Sequence, residues 1–272
     1  MDFLLEPFAY GFQQRALIGG LVSGVMASIV GTWLVLRGMS FFGDAFVHGV
    51  VPGIAIAVLL DANPVIGAAA AAFVMVVLVE TINRSTVLSA DTSIGLLFVG
   101  MLSLGVILIS RSESYSGNLA SILFGDPLGI TWENIYFQIG LALLVGMLSL
   151  YLFRTLVVMS FSVEKAELWG MKPHRAHFML LILIAMTVVG SFQTVGTLLV
   201  FSLLIGPPAT AALLSKSIGR MMMYSVLLSI VSVWFGLTLS FYWSTASSAT
   251  IAIIPVCLFF VTLLFTRFRS RA

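Results

Sequence analysis

The chain has 272 residues, of which 60% are hydrophobic and only 9% charged, and its mean hydropathy is +1.13. A typical soluble domain carries about 25% charged residues, so the composition excludes a soluble enzyme and predicts an integral membrane protein. The net charge of +2 comes from basic residues scattered among loops and gives no sign of a nucleic-acid partner. The single cysteine, Cys257, excludes an internal disulfide.

Apolar runs along the chain approach or reach the roughly 20 residues that cross a bilayer as a helix, whereas a β-barrel would show shorter alternating segments. We therefore predict an all-α bundle of eight or nine transmembrane helices forming one membrane domain over residues 1–272. The first apolar segment lacks the charge pattern and cleavage site of a signal peptide, so we expect it to be retained. The predicted spans are 16–36, 45–60, 64–82, 93–110, 134–153, 178–196, 198–214, 222–243 and 249–266.

The stretch GDAFVHG at residues 43–49 places an acid and a histidine one helical turn apart in this apolar chain. On a helix, Asp44 and His48 would share a face, and one divalent cation could contact both. A mixed carboxylate and imidazole site favours transition metals over alkali ions. In the alternative interpretation, Asp44 caps the second span and His48 is satisfied by a neighbouring carbonyl group.

Other polar residues have simpler explanations. Glu80 lies near the end of its span beside Asn83 and Arg84, which is typical of a snorkelling or ion-paired side chain. His174 and His177 fit ordinary loop residues. Pro207 and Pro208 in the run 196–214 predict either a broken helix beside a pathway or a kink within simple bundle packing.

The longest polar segment, residues 154–178, mixes Glu164 with the apolar Leu168 and Trp169. It fits either a solvated loop anchored at the interface by its tryptophan or a short amphipathic helix, ending near Gly170, that docks into a cytoplasmic partner. We call residues 160–177 the coupling segment. No Walker-type GxxxxGK[ST] motif occurs, so any ATP hydrolysis must come from a partner.

Basic residues favour cytoplasmic loops. With nine spans and an internal C-terminus, eleven of the thirteen basic residues fall inside, and only Arg15 and Arg111 fall outside. This asymmetry predicts that the coupling segment and the C-terminus share the cytoplasmic side.

Four ordered motifs resemble the permease subunits of metal-uptake ATP-binding-cassette transporters, which serve zinc, manganese and iron. They are VLRGMSFFGDAFVHGVVPGIAIA (35–57), DTSIGLLFVGMLSLGVIL (91–108), ILFGDPLGIT (122–131) and VGTLLVFSLLIGPPATAALL (195–214). In that family the aspartate and histidine of the first motif are implicated in cation passage, which places the role on Asp44 and His48. The chain departs from the family's pattern at 162–165, where only Glu164 is kept, and at 244–255.

The resemblance implies a multi-pass permease of a prokaryotic cell membrane that forms a homodimer and has no catalytic activity of its own. Its implied partners are a cytoplasmic ATP-binding subunit and an extracytoplasmic metal-binding protein, besides membrane lipid. The cargo would be a divalent cation, zinc or manganese before iron, with no permanently bound cofactor. Glu164, Leu168 and Trp169 would couple the permease to the ATPase.

Two other functions fit the residues. A secondary transporter or channel could use Asp44 and His48 as a proton relay, since polar residues within membrane spans serve both purposes. An ATP-driven importer of a non-metal substrate would keep the coupling segment but bind no metal at this pair.

Overall fold

The computed structural model describes residues 6–85, 90–110 and 129–269, and within these ranges the chain forms helices and no strand. Most of the third motif, residues 122–128, lies outside the described residues, as do Arg111 and Arg271. A short 3-10 turn at Glu6–Ala9 precedes the helices, which are α1 (Gly11–Leu36), α2 (Ser40–Gly49), α3 (Val51–Leu59), α4 (Pro64–Ser85), α5 (Ala90–Ser110), α6 (Trp132–Phe161), α7 (Val163–Leu168), α8 (Pro173–Leu214), α9 (Ile218–Trp243) and α10 (Ser247–Arg269).

Eight segments of the described chain are long and apolar enough to cross a membrane. A ninth apolar helix, Thr92–Leu108, is shorter than these eight. Each predicted span therefore corresponds to a helical segment, which confirms the all-α membrane fold. The sequence left eight and nine spans both open because residues 178–214 could form two spans or one interrupted span, and the structure divides this stretch into two arms.

The second span differs from its prediction in two ways. It begins at Ser40 rather than at residue 45, and it is divided into α2 and α3 around Val50. Pro52 has no N–H group and so cannot donate the helical hydrogen bond that the carbonyl of His48 would accept. The division therefore falls directly after the histidine of the GDAFVHG stretch.

Helix α8 contains two transmembrane arms, Pro173–Phe192 and Thr194–Leu214. At the start of the second arm Gly196 has φ 77° and ψ 162°, a backbone conformation that only glycine adopts readily. The contacts that α8 makes along α1 run in one direction and then return: His177 with Arg37, Thr194 with Ser23, and Leu204 with Gly31. The chain therefore reverses at Gly196, whereas Pro207 and Pro208 lie inside the second arm, which continues to Leu214.

Helix α1 forms the centre of the bundle, where it packs against α6, α8 and α9. An added Cβ atom at Gly31 would lie 1.8 Å from the carbonyl oxygen of Leu204, so only glycine permits this approach to the second arm of α8. On another face, the buried indole N–H of Trp33 donates to the hydroxyl of Ser149 at 2.9 Å. These contacts fix α1, which leads directly into α2.

Successive loops lie at opposite ends of the bundle, as the predicted spans require. At one end, Nε of Arg15 donates to the carbonyl oxygen of Ile130 at 2.8 Å, and the hydroxyl of Tyr242 donates to Glu6 at 3.0 Å. At the other end, Arg37 lies beside His177 on α8. The structure agrees with the order of the predicted loops, and which end faces the cytoplasm stays a prediction.

Candidate functional site

Asp44 and His48 lie on the same face of α2, as their spacing predicts. Oδ1 of Asp44 is 3.5 Å from Nε2 of His48, and each side chain is 27% exposed. Their neighbours on α2, including Phe42, Ala45, Phe46 and Val47, are buried in the apolar core. The pair is thus an isolated polar site on an otherwise apolar helix.

The distance between the two donor atoms suits joint coordination of one ion. Metal–ligand distances of about 2.1 Å to oxygen and nitrogen, with the donors 3.5 Å apart, give an angle of about 110° at the metal, close to tetrahedral. The separation of these two atoms is therefore compatible with one cation bound through both side chains.

The alternative interpretation of this pair does not fit the structure. Helix α2 begins at Ser40, so Asp44 lies inside the helix and cannot be its N-cap. Nδ1 of His48 is buried and has no hydrogen-bond partner among the described residues, so no carbonyl group in those ranges satisfies it. Nδ1 of His48 is therefore unpaired within those ranges, while Nε2 lies beside Asp44.

The pair is not a complete metal site. Among the described residues, no group of three or more His, Cys, Asp or Glu side chains is arranged to hold a metal ion. A structural zinc site has four protein ligands, and two side chains alone would hold an ion more weakly and let it leave. This property suits transport rather than storage.

The coupling segment contains a short helix, α7, with defined caps. The hydroxyl of Ser162 accepts from the N–H of Lys165 at 3.2 Å at its start. At its end Gly170 has φ 71°, and its N–H and that of Met171 donate to carbonyl groups in the last turn, which is the Schellman arrangement. The predicted helix and its end near Gly170 are both correct.

Helix α7 presents apolar side chains outwards. Leu168 is 83% exposed and Trp169 is 66% exposed, and Glu164 is also exposed. Ala166 is fully buried and fixes the helix against the bundle. The three predicted coupling residues thus lie at an exposed surface, away from Asp44 and His48.

A second polar cluster, which sequence reasoning missed, lies at the same end as α7. Nη1 of Arg37 donates to Nδ1 of His177 at 3.1 Å, and because a guanidinium group only donates, His177 is the acceptor. Burial lowers the pKa of Arg37. Glu80 is buried and lines the same cavity of about 460 Å³ as Arg37 and His177.

The sequence predicts that the span begins at residue 178, which places His177 in a loop, whereas α8 begins at Pro173. The sequence shows that His174 and His177 are three residues apart. A helix that starts at Pro173 is needed to place His177 beside Arg37 and His174 beside α7. His174 lies 3.8 Å from Glu167 of α7, so the cluster links the coupling segment to α8.

The described part of the chain is a bundle of membrane-crossing helices with a carboxylate–imidazole pair on α2, an arrangement that is typical of membrane transport proteins. Residues 9–266 match the ABC 3 transport family, and the chain belongs to that family. It is a multi-pass membrane protein, as the sequence predicted.

Known relatives match along almost the whole chain. The manganese transport system membrane protein MntC of Listeria innocua is 36% identical over 265 residues, which cover 97% of this chain and 94% of MntC. The chelated iron transport system membrane protein YfeD of Yersinia pestis is 33% identical, over 98% of this chain and 90% of YfeD. The structure of PsaBC from Streptococcus pneumoniae in complex with Fab matches with a TM-score of 0.84 at 31% identity, over 96% of this chain and 94% of that chain.

Proposed function

We propose that this chain is the membrane permease of an ATP-driven importer of a divalent transition-metal cation, and that Asp44 and His48 form a metal station through which the ion passes. The observation that carries the proposal is the 3.5 Å approach of a carboxylate oxygen and an imidazole nitrogen on one face of α2. Ionisable residues in membrane segments are rare because they are energetically costly, and they commonly mark an ion pathway.

The relatives favour manganese as the first candidate cargo and iron as the second, because MntC is named for manganese and YfeD for chelated iron. Zinc is a third candidate cargo, because imidazole is a good ligand for it. A carboxylate suits manganese, so the donor atoms are compatible with all three ions.

A second copy of the chain would complete the station. Two copies related by a two-fold axis would bring two Asp44–His48 pairs to one ion, which gives the four donors that the single chain lacks. The partial exposure of both side chains supports this arrangement, because it leaves them accessible to a neighbouring chain.

Energy for transport would come from a separate ATP-binding subunit docked at α7. The exposed Leu168 and Trp169 offer an apolar contact to a groove on that subunit, with Glu164 beside them. ATP binding and hydrolysis would shift the permease between states open to opposite sides, because a partner drives such a cycle through different affinities for the two states. Family membership supports a binding protein that delivers the ion from outside.

The proton-relay alternative uses the same pair without metal. It makes α7 unnecessary, because a transporter driven by an ion gradient has no ATPase to engage. The exposed apolar residues on α7 therefore favour the ATP-driven importer.

Uptake into membrane vesicles that contain the permease and its ATPase, with the binding protein supplied outside, tests the proposal. We expect accumulation of manganese, iron or zinc that requires ATP inside the vesicle and survives an ionophore that collapses ion gradients. Uptake that the ionophore abolishes would support the proton-relay transporter. ATP hydrolysis that none of the three metals affects, together with no metal uptake, would point to a non-metal cargo.

A further inference from the structure

The orientation of the His48 ring needs a physical cause. A metal-binding imidazole is normally held by a hydrogen bond from its other ring nitrogen to a carboxylate, a carbonyl group or water. Nε2 of His48 faces Asp44, and the buried Nδ1 has no hydrogen-bond partner among the described residues. Packing therefore has to hold the ring in place.

The packing comes from an aromatic side chain on α5. The ring centroid of Phe98 lies 5.7 Å from that of His48, with the rings inclined at 71° in an edge-to-face arrangement. Phe98 makes a second contact of the same kind with Phe41, at 5.8 Å and 67°. Both distances lie in the range preferred by aromatic pairs.

These two contacts place Phe98 beside the metal station. Phe41, Asp44 and His48 occupy positions i, i+3 and i+7 of α2 and therefore share one face. Phe41 and His48 are about 10 Å apart along the helix, from a rise of 1.5 Å per residue. A single ring that contacts both must lie between them, alongside Asp44.

We propose that Phe98 is a positioning residue of the metal station, whose ring fixes the imidazole of His48 with Nε2 towards Asp44 and shields that side of the pair. The inference rests on the proposed function. It also gives a role to the segment 91–108, which carries one of the family-like motifs but none of the proposed metal ligands.

If Phe98 served core packing alone, its aromatic ring would not be required. Any apolar side chain of similar volume would then suffice, as it would at Ile94, which is fully buried one turn earlier on α5. Only an aromatic ring makes the edge contact with the imidazole. Replacement by aliphatic and by aromatic residues therefore separates the two roles.

The experiment measures binding of manganese ions alone to the purified full-length permease, by electron paramagnetic resonance. The variants are Phe98→Leu and Phe98→Met, which remove the ring, and Phe98→Tyr, which keeps it. Phe73→Leu is the matched control, because Phe73 is a 62% exposed phenylalanine on α4. Size-exclusion profiles and thermal melting report whether each variant is folded.

We expect Phe98→Leu and Phe98→Met to weaken manganese binding about tenfold, at the low end of the loss seen for residues that orient metal ligands, and to change the spectrum of the bound ion. Phe98→Tyr and Phe73→Leu should match the unaltered protein. Unchanged affinity and spectrum in the two aliphatic variants would overturn the proposal. Loss of folding in both would assign Phe98 to core packing and would also overturn it.

The failure of the proposed function gives a different result. If the unaltered protein and Asp44→Asn bind manganese equally, the station itself is absent, and the proposed function and this inference both fall. If binding depends on Asp44 but not on the ring at position 98, only the inference about Phe98 falls.

Discussion

Asp44 is a carboxylate held in an apolar membrane bundle, and its charge is the property that the proposed station uses. Asp44→Asn keeps the shape of the side chain and removes the charge. We expect metal uptake to fall at least about 10-fold, because even residues that only orient metal ligands change affinity by 10–100-fold. Expression and association with the ATPase should be unchanged, and uptake of radioactive manganese at limiting concentration measures the effect.

The controls for this prediction come from the same chain. Asp61→Asn changes an exposed acid with φ 51°, a conformation that asparagine tolerates, and should leave uptake unaltered. His48→Ala should resemble Asp44→Asn, and the double variant should lose less than the sum of the two single effects, since both residues would serve one ion. Normal uptake in both single variants would place the route of the ion elsewhere.

At the residue scale, the sequence was sufficient for contacts within one helix and insufficient for contacts between helices. Asp44 and His48 could be paired because residues four apart share a helix face whatever surrounds the helix. Phe98 is 50 positions away from His48, and its apolar character fits a core residue as well as a wall of the site. Its contact with the imidazole depends on how α5 crosses α2, which a single sequence does not reveal.

Helix α7 is an element whose exposed face should decide its function. Replacing Leu168 and Trp169 with Asp exchanges an apolar contact for unpaired charge at the proposed interface, so we expect loss of ATPase association. The permease itself should stay folded, because both side chains are largely exposed in the single chain. Co-purification of the ATPase and ATP-dependent uptake measure the result.

Lys172→Asp is the matched control for this prediction, because Lys172 is exposed in the same segment but lies beyond α7. It should retain the ATPase if the apolar pair provides the contact. Retention of the ATPase and of uptake by the Leu168 and Trp169 variant would mean that the apolar face of α7 does not form the ATPase contact.

At the element scale, hydropathy predicted where helices lie, including the boundary between the spans 178–196 and 198–214, and missed that the second span is divided around Val50. The predicted start of the second span at residue 45 followed the polar Asp44, yet the helix already includes that residue because its other neighbours are buried. In α8 the sequence predicted a boundary between residues 196 and 198 and a further break or kink at Pro207 and Pro208. The reversal falls at Gly196, because a positive φ separates two helices more sharply than prolines that the second arm accommodates.

The whole molecule sorts its loops into two groups, and charge predicts which group faces the cytoplasm. The end that carries α7 also carries Arg37 and the start of α8, whereas the opposite end carries Glu6, Asp61 and Glu133 with Arg15. The alternation of nine apolar segments could be predicted from composition. The contacts between the loops at each end depend on how the helices pack, and they could not be predicted from composition.

Accessibility of single cysteines tests this orientation in intact cells. With Cys257 replaced by Ser, we expect Lys172→Cys and Lys216→Cys to resist an impermeant thiol reagent, because both positions lie at the predicted cytoplasmic end, where eleven of thirteen basic residues collect. Ala62→Cys, at the exposed turn between α3 and α4, should react and serves as the external control. Permeabilised cells should label all three, which verifies that the protected positions are reactive. Labelling of Lys172→Cys from outside would invert the bundle, place α7 beyond the reach of a cytoplasmic ATPase, and so remove the proposed energy source as well as the orientation.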